Sequence, residues 1–429
     1  MDEQKRAVDL VLLGHNVFVT GGAGVGKSCV IDSLRKAAES QRRVCTVVAP
    51  TGVAALNVNG LTIHSFFGLP TYASDKNATI KFIYNNVKRN MIATDLLIVD
   101  EISMVHPNVL SLMDEVARRS RSRNKGPFGG MQVVFVGDFM QLAPIASEGD
   151  SDKTWAFETK IWELLEFQNV VLKSPQRQES REFQILSNLR MGSALHSDFA
   201  ECHIDQASVS KKFLAQAFPD WTVLFASNRE KDNYNNMRHV AFSSQIHSFE
   251  ASVKGATKCQ MLKNIPNSLE LRVGDKVMVT RNIPSAGLVN GDTGTVESFD
   301  RRGVPEVFVD RLAEIQAIEA QTWIQQKLDG GEWTFSGSKT QIPLVLGWAV
   351  TIHKAQGATI PKLIVDLNGI FCAGQAYVAL SRCTSFDTLR IAGFDAKSVS
   401  VSDRALDFYD RLKNKSSEDI EGFLEKLHL

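Results

Sequence analysis

The chain has 429 residues, more than one hydrophobic core usually supports, so its length predicts two to four packed domains. Apolar residues make up 44% and charged residues 22%, which excludes a globally disordered or fibrous protein. Lys and Arg together number 48, as do Asp and Glu, which excludes a uniformly basic coat; any polyanion must bind in a local groove. The six cysteines include no Cys-x-x-Cys pair, and no apolar run reaches the ~18 residues of a membrane span. We therefore expect a soluble protein with reduced thiols and no zinc site.

The first half of the chain alternates short apolar runs with helix-like segments. The predicted strands are Asn16–Thr20, Val44–Ala49, Leu96–Val99 and Val133–Val136, and the predicted helix is Cys29–Ser40. Continuous apolar strands separated by helices are typical of a parallel sheet that is buried on both faces. Leu224–Ala226 and Leu363–Leu367 repeat the pattern, which predicts a second αβ core.

The segment between these two late strands has a different pattern. Gly274–Val296 and Val304–Val309 alternate apolar and polar residues, and the first of them contains Asn-Gly and Asp-x-x-Gly turns, which favour antiparallel hairpins. Arg311–Leu328 lacks Gly and Pro and is predicted as a helix. We therefore expect a small β-barrel carrying one helix, inserted over roughly Ser243–Ile342. Ser416–Leu429 is predicted as a charged amphipathic helix.

The strongest chemical motif follows the first predicted strand. Gly21–Ser28 reads GGAGVGKS, which has the spacing G-x-x-x-x-G-K-[ST] between a strand and a helix. Backbone N–H groups and a helix N-terminus attract phosphate there, Lys27 would reach the terminal phosphates, and the Ser28 hydroxyl would bind Mg²⁺. A glycine-rich turn with a chance lysine is the alternative, which the flanking elements disfavour. The candidate ATP-binding residues of the loop are Gly22, Gly24, Val25, Gly26, Lys27 and Ser28.

Acidic and amide residues follow two later strands. Asp100 ends an apolar strand and can hold the Mg²⁺ shell, while Glu101 can accept a proton from the attacking water. Two acidic strand caps are the alternative, which is disfavoured beside a P-loop. Gln141 follows Val133–Val136 and could sense the γ-phosphate.

Two arginines are candidates for delivery to the phosphates by a second domain. Arg177 lies in LKSPQRQES and Arg382 in YVALSRCTS. A guanidinium at the developing charge of phosphoryl transfer acts as an arginine finger. Most arginines are surface residues, so geometry has to establish this role for either residue.

In this order the motifs resemble those of the superfamily 1B DNA helicases, most closely the PIF-type (petite integration frequency) family, with RecD and phage Dda as more distant relatives. The matching segments are Gly21–Ser28, Ala49–Phe67, Asp100-Glu101, Ala117–Gln132, the GDFMQLAP motif, Leu346–Ile360 and Gly374–Ser385. The resemblance implies that Gln4 reads adenine and that Gly357 contacts the nucleotide. One departure is Pro175-Gln176, where the family has an aromatic residue before the Arg-Gln pair.

The resemblance also implies an α/β fold of two RecA-like P-loop NTPase domains with a small SH3-like β-rich insertion in the second. The implied domains are 1–163 with a small insertion near 65–90, 164–242 with 343–429, and the inserted 243–342.

The resemblance further places single-stranded DNA across the tops of both αβ domains. The candidate DNA-binding residues are Thr51, Gly52, His64, Phe66, Asn228, His353 and Lys354. Phe66 or its neighbour Phe67 could stack on a base, and core packing is the alternative for both. The one dense basic run consists of Arg118, Arg119, Arg121, Arg123 and Lys125. This run is either a solvated helix end or a strand-guiding patch.

We therefore predict an ATP- and Mg²⁺-dependent 5′–3′ DNA helicase that translocates on single-stranded DNA and unwinds 5′-tailed duplex or G-quadruplex DNA in replication, repair, recombination or telomere maintenance. A P-loop switch that remodels proteins and a nuclease subunit are the alternatives. We expect a monomer in solution with no membrane association. The chain resembles a bare helicase core, which favours a bacterial or phage protein associated with DNA in the cytoplasm and leaves nuclear or mitochondrial locations open.

Overall fold

The computed structural model describes residues 3–69, 85–121, 126–144, 154–173, 181–204, 210–255, 265–329, 332–383, 385–393 and 399–412. Several predictions concern residues outside these ranges. They are Arg177, the basic residues Arg123 and Lys125, the helix Ser416–Leu429 and most of the small insertion near 65–90.

The first part of the chain forms alternating strands and helices. Its strands are β1 (Val17–Gly21), β2 (Cys45–Ala49), β3 (Leu61–Thr62), β4 (Leu96–Val99), β5 (Gln132–Gly137) and β6 (Gln168–Leu172). Its helices are α1 (Glu3–Leu12), α2 (Lys27–Ser40), α3 (Gly52–Asn57), α4 (Ile63–Phe67), α5 (Asn85–Ala93), α6 (Pro107–Arg121) and α7 (Lys160–Leu164).

The remaining elements follow in chain order. Three helices and a strand come first: α8 (Arg181–Arg190), α9 (Lys211–Ala217), β7 (Thr222–Phe225) and α10 (Asn228–Val240). Ten strands follow: β8 (His247–Glu250), β9 (Ser252–Gly255), β10 (Ser268–Leu271), β11 (Lys276–Val279), β12 (Thr293–Phe299), β13 (Pro305–Val309), β14 (Glu314–Ala317), β15 (Gln321–Asp329), β16 (Glu332–Gln341) and β17 (Leu344–Leu346). The last elements are β18 (Ala349–Thr351), α11 (Ile352–Ala355), β19 (Leu363–Asp366), α12 (Gln375–Leu380), β20 (Leu389–Gly393) and α13 (403–412).

The first domain is built on a parallel sheet with strand order β3-β2-β4-β5-β1-β6. Successive residues of its strands enter different cores: Phe18 and Phe135 pack on one face of the sheet, and Val17 and Val134 on the other. Burial on both faces explains why these strands are continuous apolar runs. Because the strands are parallel, the residues that follow β1, β4 and β5 meet at one edge.

The second domain is a smaller parallel sheet with strand order β18-β7-β19-β20. Its strands come from two separate stretches of chain on either side of the strand-rich segment. The predicted second αβ core is therefore confirmed, and the segment between β7 and β18 is an insertion into it.

The described residues of the insertion form three small antiparallel sheets, with strand orders β14-β13-β12-β11-β17, β15-β16-β9 and β10-β8. The predicted hairpins are confirmed, but the helix predicted over Arg311–Leu328 is wrong. That segment instead forms β14 and most of β15, which pair with β13 and β16. Backbone pairing with a neighbouring strand outweighs the local propensity of a sequence without Gly or Pro.

Two segments lie in a different domain from the one predicted. β6 pairs with β1, so the first domain extends past residue 163. The helix α13 also returns to the first domain, where Ala405, Phe408 and Leu412 join the core around Phe18. The second domain is therefore bounded on both sides by chain that belongs to the first.

Within the described residues, no helix has the length and apolar character needed to cross a membrane.

Candidate active site and DNA-binding cleft

The predicted P-loop lies at the carboxyl end of β1 and leads into α2. Gly24 and Gly26 have φ of 79° and 86°, a left-handed conformation that favours glycine. Nζ of Lys27 donates to the carbonyl oxygens of Gly21 and Gly22 at 2.8 Å each. Burial lowers the pKa of Lys27, and nearby carboxylates offset only part of that effect. Val25 is buried and Ser28 is exposed at the start of α2.

The two predicted acidic residues lie beside the P-loop, after β4. Asp100 is 9% exposed, and burial together with the charge of Glu101 raises its pKa to about 7. Glu101 has φ of 49°, an uncommon conformation that turns the chain into the short helical segment Ile102–Met104. Oε2 of Glu101 is buried and has no hydrogen-bond partner within the part of the chain that the structure describes. This oxygen is therefore available as a hydrogen-bond acceptor.

The second domain completes this edge of the first sheet. Arg382 is 8% exposed, and burial lowers its pKa while the charge of Glu101 acts in the opposite direction. Its guanidinium donates to the carbonyl oxygens of Val378 at 2.9 Å and Ala358 at 3.4 Å. A Cβ added to Gly357 would lie 3.9 Å from Oε1 of Glu101. The structure therefore brings Gly357 beside Glu101 and places Arg382 where the charge of Glu101 acts on it, while the predicted roles of Arg382 and Gly357 at the nucleotide stay predictions.

Two further predicted residues lie on either side of this edge. Gln141 is 4% exposed, and its Oε1 accepts from Nε2 of Gln356 in the second domain at 3.2 Å. Gln4 lies in the first turn of α1, which packs against α2. Gln141 is thus placed to connect the third strand of the site to the other domain, whereas the predicted adenine contact of Gln4 stays a prediction.

A buried ionic cluster next to the P-loop was not predicted. Both carboxylate oxygens of Asp138 accept from Nε of Arg190, at 3.1 and 2.9 Å, and Oδ1 also accepts from Nη2 at 2.8 Å. The hydroxyls of Tyr377 and Tyr409 donate to Asp138 at 3.1 and 3.2 Å. Burial alone would raise the pKa of Asp138, but Arg190 outweighs that effect and the pKa is lowered. No sequence signal joins these residues, because 52 residues separate Asp138 from Arg190 and 271 separate it from Tyr409.

A cleft of about 950 Å³ lies between the two domains and contains three of the predicted DNA-binding residues. Asn228, His353 and Lys354 line it from the second domain, and Pro144 and Trp155 from the first. Burial lowers the pKa of His353 and of Lys354, and the charge of Lys231 adds to the effect on Lys354.

Two residues of this cleft were missed. Phe371 is 68% exposed, and its ring is stacked on that of His353 with centroids 6.2 Å apart. Arg404 of α13 also lines the cleft and forms an ion pair with Glu158 at 3.3 Å. The feature that identifies Phe371 is the exposure of its ring beside cationic side chains, and the sequence alone does not show this exposure.

The other predicted DNA-binding residues lie on α3 and α4, outside the lining of this cleft. Oγ1 of Thr51 accepts from the backbone N–H of Ala54 at 3.1 Å, which leaves its hydroxyl hydrogen available as a donor. A Cβ added to Gly52 would lie 3.1 Å from Oδ1 of Asn282 in the insertion. His64 is half-buried, and burial lowers its pKa.

The base-stacking prediction for Phe66 is wrong. Phe66 is 3% exposed and Phe67 is 1% exposed, and their rings pack edge to face in the first domain's core with centroids 5.1 Å apart. A buried ring of this kind cannot reach a base without opening the core.

The described arginines of the basic run contact the protein itself. Arg118 pairs with Asp114 at 2.8 Å and Arg119 with Glu115 at 2.5 Å. Arg121 donates to backbone carbonyl oxygens. These contacts favour the interpretation of the run as a helix end.

A phosphate-binding edge built by one parallel-sheet domain and completed by a buried arginine of a second defines the class of two-domain P-loop motors to which DNA helicases belong. The sequence profile of the PIF1-like helicase family matches residues 1–200, and that of the DNA helicase Pif1 2B domain matches residues 259–299. The chain belongs to the PIF1-like helicase family, which confirms the resemblance and the fold of two RecA-like domains with an insertion.

Curated relatives align over nearly the whole chain. The ATP-dependent DNA helicase Pif1 of Bdellovibrio bacteriovorus is 33% identical over 96% of this chain and 92% of its own length. The ATP-dependent DNA helicase PIF1 of Homo sapiens is 33% identical over 98% of this chain and 65% of its own length. The chain therefore spans about two thirds of the human relative.

Solved structures of relatives share the fold. A Pif1 helicase from Bacteroides in complex with ADP-AlF3 and ssDNA matches with a TM-score of 0.81 at 28% identity, covering 97% of each chain. An unliganded Pif1 from Bacteroides sp matches with a TM-score of 0.62 at 29% identity, covering 96% of this chain and 97% of that one. The whole chain therefore superposes more closely on the complex than on the unliganded structure.

Proposed function

We propose that this chain is an ATP-dependent DNA helicase core that moves 5′–3′ along single-stranded DNA and unwinds 5′-tailed duplex. The observation that carries the proposal is the composite site, in which Gly357 of the second domain lies beside Glu101 of the first and Arg382 of the second domain interacts with the charge of Glu101. Because both domains contribute, binding and hydrolysis of ATP change how they fit together. The relatives named as ATP-dependent DNA helicases support this function, and the polarity rests on the family resemblance alone.

The chemistry that we propose for the site is assisted attack of water on the γ-phosphate. Lys27 supplies positive charge to the terminal phosphates, and Oε2 of Glu101 accepts the proton of the attacking water. Arg382 stabilises the charge that develops in the transition state. Gln141 would transmit the presence of the γ-phosphate through its hydrogen bond to Gln356. Arg177 stays a predicted second finger outside the described residues.

We also propose that the nucleotide binds together with Mg²⁺. The hydroxyl of Ser28 and the carboxylate of Asp100 are oxygen donors, which Mg²⁺ prefers. A raised pKa at a buried carboxylate fits a group that gains a cation, because a divalent charge would favour its ionised form. The ion would neutralise charge on the phosphates during transfer.

We propose that single-stranded DNA occupies the cleft lined by Asn228, His353 and Lys354. Lys354 and Arg404 would contact phosphates, and the exposed ring of Phe371 would stack on a base in place of Phe66. Thr51 and His64 would extend the path across the first domain. The higher TM-score against the relative bound to ssDNA supports a DNA-compatible arrangement of domains.

The experiment that tests this function compares ATP hydrolysis with and without single-stranded DNA and then measures unwinding of 5′-tailed, 3′-tailed and G-quadruplex substrates. We expect strong stimulation by single-stranded DNA and unwinding from the 5′ tail. No stimulation would instead favour the protein-remodelling switch, and faster unwinding from a 3′ tail would contradict the polarity. The G-quadruplex substrate in this assay tests that prediction, and sedimentation tests the monomeric state. The cellular pathway and the DNA-associated cytoplasmic location stay predictions.

A further inference from the structure

The cluster on Asp138 joins four separate segments of the chain. Asp138 follows β5 of the first domain, Arg190 and Tyr377 belong to α8 and α12 of the second domain, and Tyr409 belongs to α13. We call these four residues the Asp138 node. Asp138 is 0% exposed and the side chain of Arg190 is 15% exposed. The node is thus a buried ion pair that crosses the domain interface.

The node also contacts the chain at the entrance to the P-loop. The hydroxyl of Tyr377 accepts from the backbone N–H of Ala23 at 2.8 Å. The hydroxyl of Tyr409 lies 2.6 Å from Oγ1 of Thr20 in β1. A Cβ added to Gly22 would lie 3.5 Å from Cδ of Arg190, so the arginine packs directly on the loop. Residues 20–23 are therefore contacted from the second domain and from α13.

Other contacts across the same interface differ in kind. Nδ2 of Asn57 donates to the carbonyl oxygen of Gly357 at 2.7 Å, and Gln356 donates to Gln141 at 3.2 Å. Each is a single bond between neutral groups, and Asn57 is exposed. Separating the Asn57 bond costs little, because water can replace a bond to an exposed amide, and the buried Gln356–Gln141 bond joins two neutral amides rather than an ion pair.

Separating the node would be far more costly. Withdrawal of Arg190 would leave a buried carboxylate without its counter-ion, and breaking one partner of a buried pair is strongly destabilising. Withdrawal of Tyr377 would also leave the N–H of Ala23 without its acceptor. The interface therefore opens most easily near Asn57 and Gly357, where its contacts are weak, and not at the node.

We propose that Arg190, Tyr377 and Tyr409 are positioning residues for the P-loop, and that the Asp138 node is the fixed pivot about which the two domains rotate. Rotation would separate and rejoin Arg382 and Glu101 while the entrance of the P-loop stays in place. The inference rests on the proposed ATP-driven cycle, so its test includes a measurement that does not require hydrolysis.

The positioning role is tested with Tyr377→Phe, which removes the hydroxyl and keeps the ring. The matched control is Tyr234→Phe, because Tyr234 is equally buried in the second domain but lies outside the node. We expect Tyr377→Phe to weaken ADP binding and raise the KM for ATP by about three- to tenfold, with kcat nearly unchanged. The control should change neither. Unchanged ADP affinity and KM would overturn the role, even if the melting temperature falls.

The pivot is tested by distances between spin labels carried on non-canonical amino acids in the full chain. One pair, at Met191 and Asp403, lies beside the node, where a Cβ added to Gly192 would be 3.2 Å from the side chain of Val401. The other pair, at Asn57 and Thr359, spans the opposite side near Gly357. On adding single-stranded DNA and ADP-aluminium fluoride, we expect the second distance to change and the first to stay constant. An equal change at both pairs, or a change at the first alone, would overturn the pivot.

Discussion

The nucleotide edge and the DNA cleft share the same domain interface but are built in different ways. At the nucleotide edge, Lys27, Asp100 and Arg382 are buried charged groups whose pKa values are all shifted. In the cleft, Phe371 and Arg404 are exposed side chains around a large open volume. Phosphoryl transfer requires fixed charges shielded from water, whereas a motor must bind and release a strand of any sequence. Substitutions at the two sites should therefore differ in size and in the step that they affect.

The largest effect is expected for Lys27→Ala, which removes the cation from the P-loop. ATP hydrolysis and unwinding should both be abolished, because no other lysine of the loop can reach the terminal phosphates. Lys36→Ala, on the exposed side of the same helix, is the control and should retain activity. Appreciable DNA-stimulated hydrolysis by Lys27→Ala in a phosphate-release assay would contradict the assignment.

Arg382→Ala should come next, with a loss in kcat of about 10³–10⁵ and a smaller change in the KM for ATP. A transition-state contact lowers kcat, whereas a ground-state contact would raise KM. Because Arg382 also donates to Val378 and Ala358, the melting temperature must be measured beside the kinetics. The exposed Arg301 of the insertion provides a control substitution, and normal hydrolysis by Arg382→Ala with DNA present would exclude the finger.

Glu101→Gln should lower kcat by about 10²–10⁴ while ATP binding persists, because an amide cannot accept the proton of the attacking water. Binding is measured by nucleotide titration and turnover by phosphate release. The exposed Glu163 offers the same substitution far from the site as a control. Wild-type turnover by Glu101→Gln would require another base.

Phe371→Ala separates the cleft from the nucleotide edge. We expect single-stranded DNA to bind more weakly by about 1–3 kcal/mol, while hydrolysis without DNA is unchanged. Phe335→Ala removes another exposed phenylalanine, from the insertion, and should leave DNA affinity unaltered. Phe66→Ala should instead lower stability by about 3–5 kcal/mol, because it leaves a cavity in the first domain's core. Equal DNA affinity for Phe371→Ala and wild type in fluorescence anisotropy would exclude the stacking role.

The smallest effect concerns the pH dependence of stability without nucleotide or Mg²⁺. Burial raises the pKa of Asp100 from 3.8 to about 7, so between these values the folded state holds a proton that the unfolded state has released. This group therefore stabilises the fold at low pH, and its contribution is lost as the pH rises towards 7. Asp100→Asn should flatten the slope of unfolding free energy against pH by on the order of 1 kcal/mol per pH unit, measured by urea titrations at several pH values. Asp220→Asn, at an exposed position, is the control. An unchanged dependence of unfolding free energy on pH in Asp100→Asn would contradict the raised pKa.

The parts that the sequence predicts well are those made of contiguous residues. Gly21–Ser28 and Asp100-Glu101 carry their chemistry within a few positions, and the buried strands before them are visible as apolar runs. Phe66 and Phe371 show the limit, because the same residue type is 3% exposed in one place and 68% exposed in the other.

Long-range pairing accounts for the remaining differences. Arg190 and Tyr409 acquire their partners only when distant segments meet, and no local pattern marks them. Strand β15 forms because β16 is beside it, although its own sequence also suits a helix. The same cause moves β6 and α13 into the first domain, since their partners β1 and Phe18 lie far away along the chain.

The return of α13 to the first domain has a consequence for the order in which the protein folds during synthesis. Phe408 packs against Phe18, Phe139 and Phe157, so the core around the first strand lacks one of its rings until the last described helix leaves the ribosome. Contacts between residues this far apart in sequence close slowly. The phosphate-binding domain is therefore translated first but completed last, after the whole second domain. A chain that ends just before residue 403 would have an incomplete hydrophobic core in the first domain, although that domain is translated earliest.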